Sequence, residues 1–367
     1  EWFFDQKLKH LVALSFIFIH FYLHFSFIFF STRYTLRAFG GFPPLFFQNW
    51  VVHSIKVKLL MLKQRTIKQS VHAIGIGVHS GEKVRMTLRP AETNTGINFV
   101  RSDLNTVHNQ VPALADYVAD TTLSTSIADG SIQVATVEHV MSALWGLGID
   151  NLLIELSSEE VPIMDGSAAP FINMINSVGI VEQPAQKQFL RITREVKVTQ
   201  GDAFALLKPY AGFKAGYTFV ADHQVYDRYP KHVSIDFSST SYVDDLSGAR
   251  SFGLIDELPH AHAINKCLGS SLENAVGIDS SGVLNEGGLR YRDEFVKHKV
   301  LDAIGDLFLL GRPILGEFVG HMSGHALNNK LARAVLRCDD AWDTVGYSIA
   351  GPGRSRPILH PEASSAV

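Results

Sequence analysis

The order helix, strand, glycine-bearing turn, helix occurs twice in this chain at nearly the same internal spacing, and no other feature restricts the fold as strongly. Residues 137–147 place apolar side chains at helical spacing, and residues 151–156 form a Leu- and Ile-rich run that reads as a buried strand. The turn-like Met164-Asp-Gly-Ser-Ala-Ala-Pro170 follows, with Pro170 opening a second helix over residues 170–178. Residues 294–310, 314–319, 323–325 and 327–337 repeat that order. His139 stands 27 positions before Gly166 and His298 stands 26 before Gly324, while His298 follows His139 by 159 positions (298 − 139). That period is too long for a solenoid. It predicts an α+β fold of two similarly built domains from an internal duplication, each a sheet packed on helices, over residues 61–186 and 187–347. Gln183, Pro184 and Gln186 mark the boundary near residues 183–188. Clefts form between such domains, so the active site is expected at their interface.

The first sixty residues differ from the rest. They hold 13 of the 24 Phe, and their only acidic residues are Glu1 and Asp5. Residues 11–30 are mostly apolar over a bilayer-spanning length, interrupted by Ser15, His20, His24 and Ser26. The expected reading is translated sequence upstream of a start at Met61; the alternative is a membrane anchor flanked by Lys7, Lys9, Arg33 and Arg37. A signal peptide fits less well, because the apolar run is too long and no A-x-A-like site follows. The whole chain carries a net charge of −3, which disfavours a nucleic-acid binder. Cys267 and Cys338 are too few and too far apart for a disulfide framework, so a reducing compartment and cytoplasmic localisation are expected. Residues 240–290 show no core register and read as an insert, and residues 348–367 as a loose tail.

Three groups of residues carry chemistry. His298 and Asp302 are four apart on one helix, so imidazole and carboxylate share a face, and Asp306 continues the stripe. A metal would satisfy such a polar stripe on a largely apolar helix, but so would an ordinary His–Asp pair. Glu138-His139 resembles half of a zincin motif, yet Ala143 stands where the second His would be, which excludes the usual form. His325 sits in a glycine-bearing turn just ahead of a helix, as a cap residue or as an exposed catalytic group, and His321 beside it reads as incidental. Taken together, two His and one Asp suit Zn²⁺ with an open position, and a neighbouring carboxylate and a further His supply base and acid. The glycine-bearing Gly75-Ile-Gly-Val-His-Ser-Gly81 reads as a loop joining strands over residues 67–78 and 84–89; a dinucleotide site would need a following helix and a later acidic residue.

These residues fall within long motifs that resemble the UDP-3-O-acyl-N-acetylglucosamine deacetylases, zinc enzymes of the committed step of lipid A synthesis in Gram-negative bacteria. The motifs include Thr136-Val-Glu-His-Val140, Pro162-Ile-Met-Asp-Gly-Ser-Ala-Ala-Pro-Phe171, Phe295-Val-Lys-His-Lys-Val-Leu-Asp-Ala-Ile-Gly-Asp306 and Ser323-Gly-His-Ala-Leu-Asn-Asn329. The likeness runs from about Met61 to about residue 345. It implies that His139, His298 and Asp302 hold one Zn²⁺, with Fe²⁺ able to use the same ligands. It further implies that Glu138 is the general base and His325 the general acid, with Asp306 keeping His325 cationic. Ser251 would lie near the developing oxyanion with Phe252 beside it, Lys299 would touch the nucleotide-sugar portion, and the 240–290 insert would line an acyl passage. Met322 replaces a lysine common in the family, and Ser270 a common glycine. The expected reaction releases acetate from UDP-3-O-acyl-N-acetylglucosamine, in a monomer with at most peripheral membrane contact and no nucleic-acid partner. The competing readings are a zinc amidase acting on another acylated amino sugar and a non-catalytic nucleotide-sugar-binding protein.

Overall fold

The computed structural model describes residues 60–349 and 355–359, all within one compact unit spanning Val57–Val367. The expected upstream extension or anchor lies outside the described residues, apart from Leu60. Mixed sheets and helices make an α+β architecture.

Two sheets dominate. In the first, Val71–Ile76, Lys83–Pro90, Leu152–Leu156, Ile97–Arg101 and Gln110–Pro112 lie side by side in that order. The second holds Val196–Gln200, Ala203–Lys208, Ile314–His321, Phe213–Thr218 and Val233's strand His232–Asp236, again neighbour to neighbour. In both paths the pairings run antiparallel, antiparallel, parallel, antiparallel. The central strands alternate buried and half-buried positions, as in Leu152–Leu156, so each sheet offers one face to the core. Further strands extend the second sheet: Gln188–Ile192 pairs with Ile314–His321 and with Trp342–Ile349.

Four longer helices pack on these sheets: α1 (Glu138–Leu147), α2 (Ala169–Val178), α3 (Glu294–Phe308) and α4 (His325–Leu336). Pro170 stands in the first turn of α2, where a missing N–H costs nothing. α1 ends at Gly148, whose φ of 66° lets its amide turn back onto the carbonyls of Leu144 and Trp145. α3 is buried almost all round, which marks it as a central helix rather than a surface one. α1 and α3 approach closely at Gly305: a Cβ there would stand 2.0 Å from the carbonyl oxygen of Glu138. The glycine allows the contact, and the contact sets the two chemistry-bearing helices against each other.

One core cluster continues through both halves, from Ile67 to Ala341. The expected boundary falls on the strand Ile180–Gln186, which pairs back onto Lys63–Ile67. The stretch read as an insert does have a small core of its own. Its parallel pair Phe252–Leu254 and Val276–Ile278 packs with Val225, Tyr226 and Phe295, a second cluster too short-ranged to show as periodicity. Parts of the expected loose tail are also ordered as strand: residues 348 and 349 end Trp342–Ile349, and Ser355–Leu359 pairs antiparallel with it. Among the described residues no helix is long and apolar enough to cross a membrane.

Candidate active site

α1 brings Glu138 and His139 in at its first turn, and α3 presents His298, Asp302 and Asp306 along one stripe. α4 begins with His325, directly after the Ser323-Gly324 turn. The close α1–α3 packing converts these sequence-distant groups into one buried cluster. His139 Nε2 and His298 Nε2 each lie 3.3 Å from Asp302 Oδ1. One donor atom from each of the three residues falls within 4.8 Å of the others. Two ligands at ~2.0–2.1 Å from one tetrahedral ion stand about 3.3 Å apart, so the spacing suits a small divalent cation.

The protonation pattern agrees with that reading. His298 Nδ1 faces the Ala249 carbonyl oxygen at 3.0 Å, so an Nδ1–H donates to it and the Nε2 lone pair is left facing Asp302. Burial pushes the His298 pKa down to about 3, which keeps the ring neutral. Asp302 Oδ1 is buried with no hydrogen-bond partner and faces the Nε2 atoms of His139 and His298. An unpartnered buried carboxylate oxygen is costly unless a cation sits beside it. Asp302 Oδ2 is engaged separately, by Lys299 Nζ at 2.7 Å. The donor set of two imidazoles and one carboxylate is of the kind Zn²⁺ or Fe²⁺ accepts.

Two titratable groups flank the triad. Glu138 is buried, and burial pushes its carboxyl up. The Thr125 amide donates to Glu138 Oε2 at 3.0 Å, and the Thr125 hydroxyl donates to Asp306 Oδ1 at 2.6 Å. Asp306 Oδ2 accepts from Asn328 Nδ2 at 2.9 Å and lies 3.0 Å from His325 Nδ1. Burial works against an imidazolium at His325, but the charge and hydrogen bond of Asp306 outweigh it and lift the pKa to about 9. Beside Asp306, the imidazolium form of His325 is favoured near neutral pH.

A cavity of about 740 Å³ opens from this cluster. Glu138, His139, His298, Asp302 and His325 line its polar end, while Phe219, Leu254, Ile255, Leu258, Leu272 and Val276 supply apolar wall. Ser251, Phe252, Lys299, Ser270 and Met322 all line it too. Phe252 stands edge-on to His298 at 6.0 Å, and Lys299 Nζ lies 5.7 Å from the Phe252 ring centre. Eight of the nine site residues expected from the sequence therefore line one cavity, and the ninth, Asp306, stands behind His325. His321 instead stacks on Phe204, at 5.4 Å. Thr125 and Tyr217 were not singled out. Tyr217 is buried and donates its hydroxyl to the Ser323 carbonyl, which fixes the turn before His325. Each is a lone polar residue in a strand or loop, with no spacing that would mark it. His79 lines the cavity from the Gly75–Gly81 loop, and burial pushes it down to about 4.

Two imidazoles and a carboxylate converging beside a buried carboxylate and a carboxylate-held imidazole define a site of the metal-dependent hydrolase class. Residues 64–337 match the family model described as UDP-3-O-acyl N-acetylglycosamine deacetylase. The chain is 54% identical over 287 residues to the UDP-3-O-acyl-N-acetylglucosamine deacetylase of Chromohalobacter salexigens, covering 78% of this chain and 94% of that relative. The chain belongs to the UDP-3-O-acyl N-acetylglycosamine deacetylase family.

Proposed function

We propose that this chain hydrolyses the acetamide of UDP-3-O-acyl-N-acetylglucosamine to give acetate and UDP-3-O-acyl-glucosamine, the committed step of lipid A synthesis. The observation that carries the proposal is the placement of Asp302 Oδ1 at 3.3 Å from two imidazole Nε2 atoms, in a cavity that Glu138 and His325 also line. His139, His298 and Asp302 would hold the metal, with Zn²⁺ as the assigned ion. Bound there, zinc would supply Lewis-acid chemistry, acidifying a water and polarising a carbonyl.

The remaining work falls to the chain's own groups. Glu138, oriented by the Thr125 amide, accepts the proton of the attacking water. Charge develops on the acetamide oxygen, and the Ser251 hydroxyl is assigned to that side of the cavity. His325, held cationic by Asp306, protonates the departing glucosamine nitrogen. The apolar wall formed by Leu254, Ile255 and Leu272 takes the 3-O-acyl chain, and Phe252 and Lys299 face the sugar-nucleotide portion. The two free cysteines suit work in the cytoplasm.

The test is acetate release by the full chain from UDP-3-O-acyl-N-acetylglucosamine and from UDP-N-acetylglucosamine without the acyl group. The expected outcome is a kcat/KM at least ~100-fold higher for the acylated substrate, since burying an acyl chain is worth roughly 0.8 kcal/mol per CH₂. Equal rates on both would point to an amidase for another amino sugar, and no release from either to a binding protein.

A further inference from the structure

The glycine-bearing loop Gly75-Ile-Gly-Val-His-Ser-Gly81 has the look of an anion-binding turn, and the chain itself supplies the anion. Glu160 is buried, at 2% exposure, and its two oxygens accept four hydrogen bonds. Oε1 takes the His79 amide and the Thr136 hydroxyl, both at 2.9 Å. Oε2 takes the Ser80 amide at 2.8 Å and the Ser80 hydroxyl at 2.6 Å. Two successive backbone N–H groups converging on one carboxylate form a nest of the kind that elsewhere holds phosphate. A Cβ at Gly77 would stand 2.2 Å from Glu160 Oε2, so a glycine is needed for the carboxylate to enter.

The same carboxylate reaches the catalytic helix. Thr136 has a φ of 58°, a left-handed conformation that a β-branched residue rarely adopts, and it lies two residues before Glu138. Its hydroxyl is bound to Glu160, and the flanking backbone is tied to the same segment: Ala135 N–H donates to the Glu159 carbonyl and Val161 N–H to the Ala135 carbonyl. Immediately after Thr136, the Val137 amide donates to the Thr125 carbonyl, and Thr125 is the residue whose own amide holds Glu138. The path from Glu160 to the base is therefore continuous and short.

We propose that Glu160 is a positioning residue for the deacetylation: it holds Thr136 in the left-handed conformation that aims Glu138 into the cavity, and it anchors the His79-Ser80 backbone, from which His79 reaches the same cavity. It touches neither the metal-ligand triad nor the cavity, and acts through Thr136. The inference rests on the deacetylase reading above.

Glu160→Gln keeps the size of the side chain but turns an amide NH₂ toward a backbone N–H, since both oxygens accept from one. The expected result is a kcat lowered ~10- to 100-fold, the scale of an approximately 1 Å misplacement, with KM within ~3-fold and metal content unchanged at one ion per chain. Adding Thr136→Gly to Glu160→Gln should recover at least ~5-fold of the lost kcat, because glycine adopts a positive φ without being held there. A residue that served only to hold the fold together would instead lower the melting temperature and leave kcat per metal-loaded chain unchanged. That result overturns the proposal, as does a loss that Thr136→Gly fails to relieve. Should Glu160→Gln not fold, Thr136→Val decides. A kcat reduced tenfold or more at constant KM supports the proposal, and an unchanged kcat overturns it. The wild-type chain is assayed first: no acetate release from it would end the deacetylase reading and this proposal with it, whereas an active wild type with a fully active Glu160→Gln removes only the role given to Glu160.

Discussion

At the scale of single residues, the site is organised by two carboxylates doing opposite things to their surroundings. Glu138 is buried, which pushes its carboxyl up, and it accepts one backbone N–H, an environment that suits the base role proposed for it. Asp306 is saturated by Thr125, Asn328 and His325, and spends its charge on keeping that imidazole protonated. Glu138→Gln should lower kcat by ~10²–10⁴ while leaving one metal ion per chain, as measured by acetate release together with metal analysis; a loss under tenfold would remove Glu138 from the role of base. The His325 pKa of about 9 lies above its unperturbed 6.5. The proton-donating form therefore predominates below about 9 and is lost as pH rises through that value, while the stability this ion pair gives the fold is fully present below 6.5 and is lost as pH rises to about 9. The pH profile of kcat/KM should accordingly fall off near pH 9. Asp306→Asn removes the main influence that raises the pKa, so its basic limb should move toward acid; an unmoved limb would mean that another group sets it.

Among the secondary-structure elements, the decisive contact is the crossing of α1 and α3. Gly305 brings the α3 backbone against the first turn of α1, and this crossing is what closes His139 onto His298 and Asp302. Gly305→Ala should push the helices apart, at a cost of ~1–3 kcal/mol in stability, and weaken metal binding by more than tenfold. Calorimetric zinc titration of the variant checks this, and wild-type affinity would show that the crossing has slack. These helices were legible in sequence because their apolar spacing is long and regular, and His298 and Asp302 could be placed on one face from that spacing alone. Thr125, Tyr217 and Glu160 were not legible, because each acts through one side chain in an irregular or short segment. The same reason hid the small core around Tyr226, Val276 and Phe295: strands of three residues carry no readable period.

For the molecule as a whole, five strands of the larger sheet share their order, and their pattern of parallel and antiparallel pairs, with the five-stranded sheet. His139 and His298 stand on the two helices that cross at Gly305, and they meet there. Each half contributes what the other lacks: the first supplies Glu138, and the second supplies Asp302, Asp306 and His325. The continuity of the core across both halves was not legible in sequence, since spacing says nothing about how two units pack. The central claim is that the triad shared between the halves holds the catalytic metal. Its most direct test strips the full chain with a chelator and follows acetate release as zinc is added back, for the wild type and for Asp302→Ala. The account predicts no activity in the stripped wild type, a linear recovery that ends at one zinc per chain, and no recovery in Asp302→Ala at that stoichiometry. Full activity after stripping, or equal recovery in the Asp302→Ala chain, would contradict it.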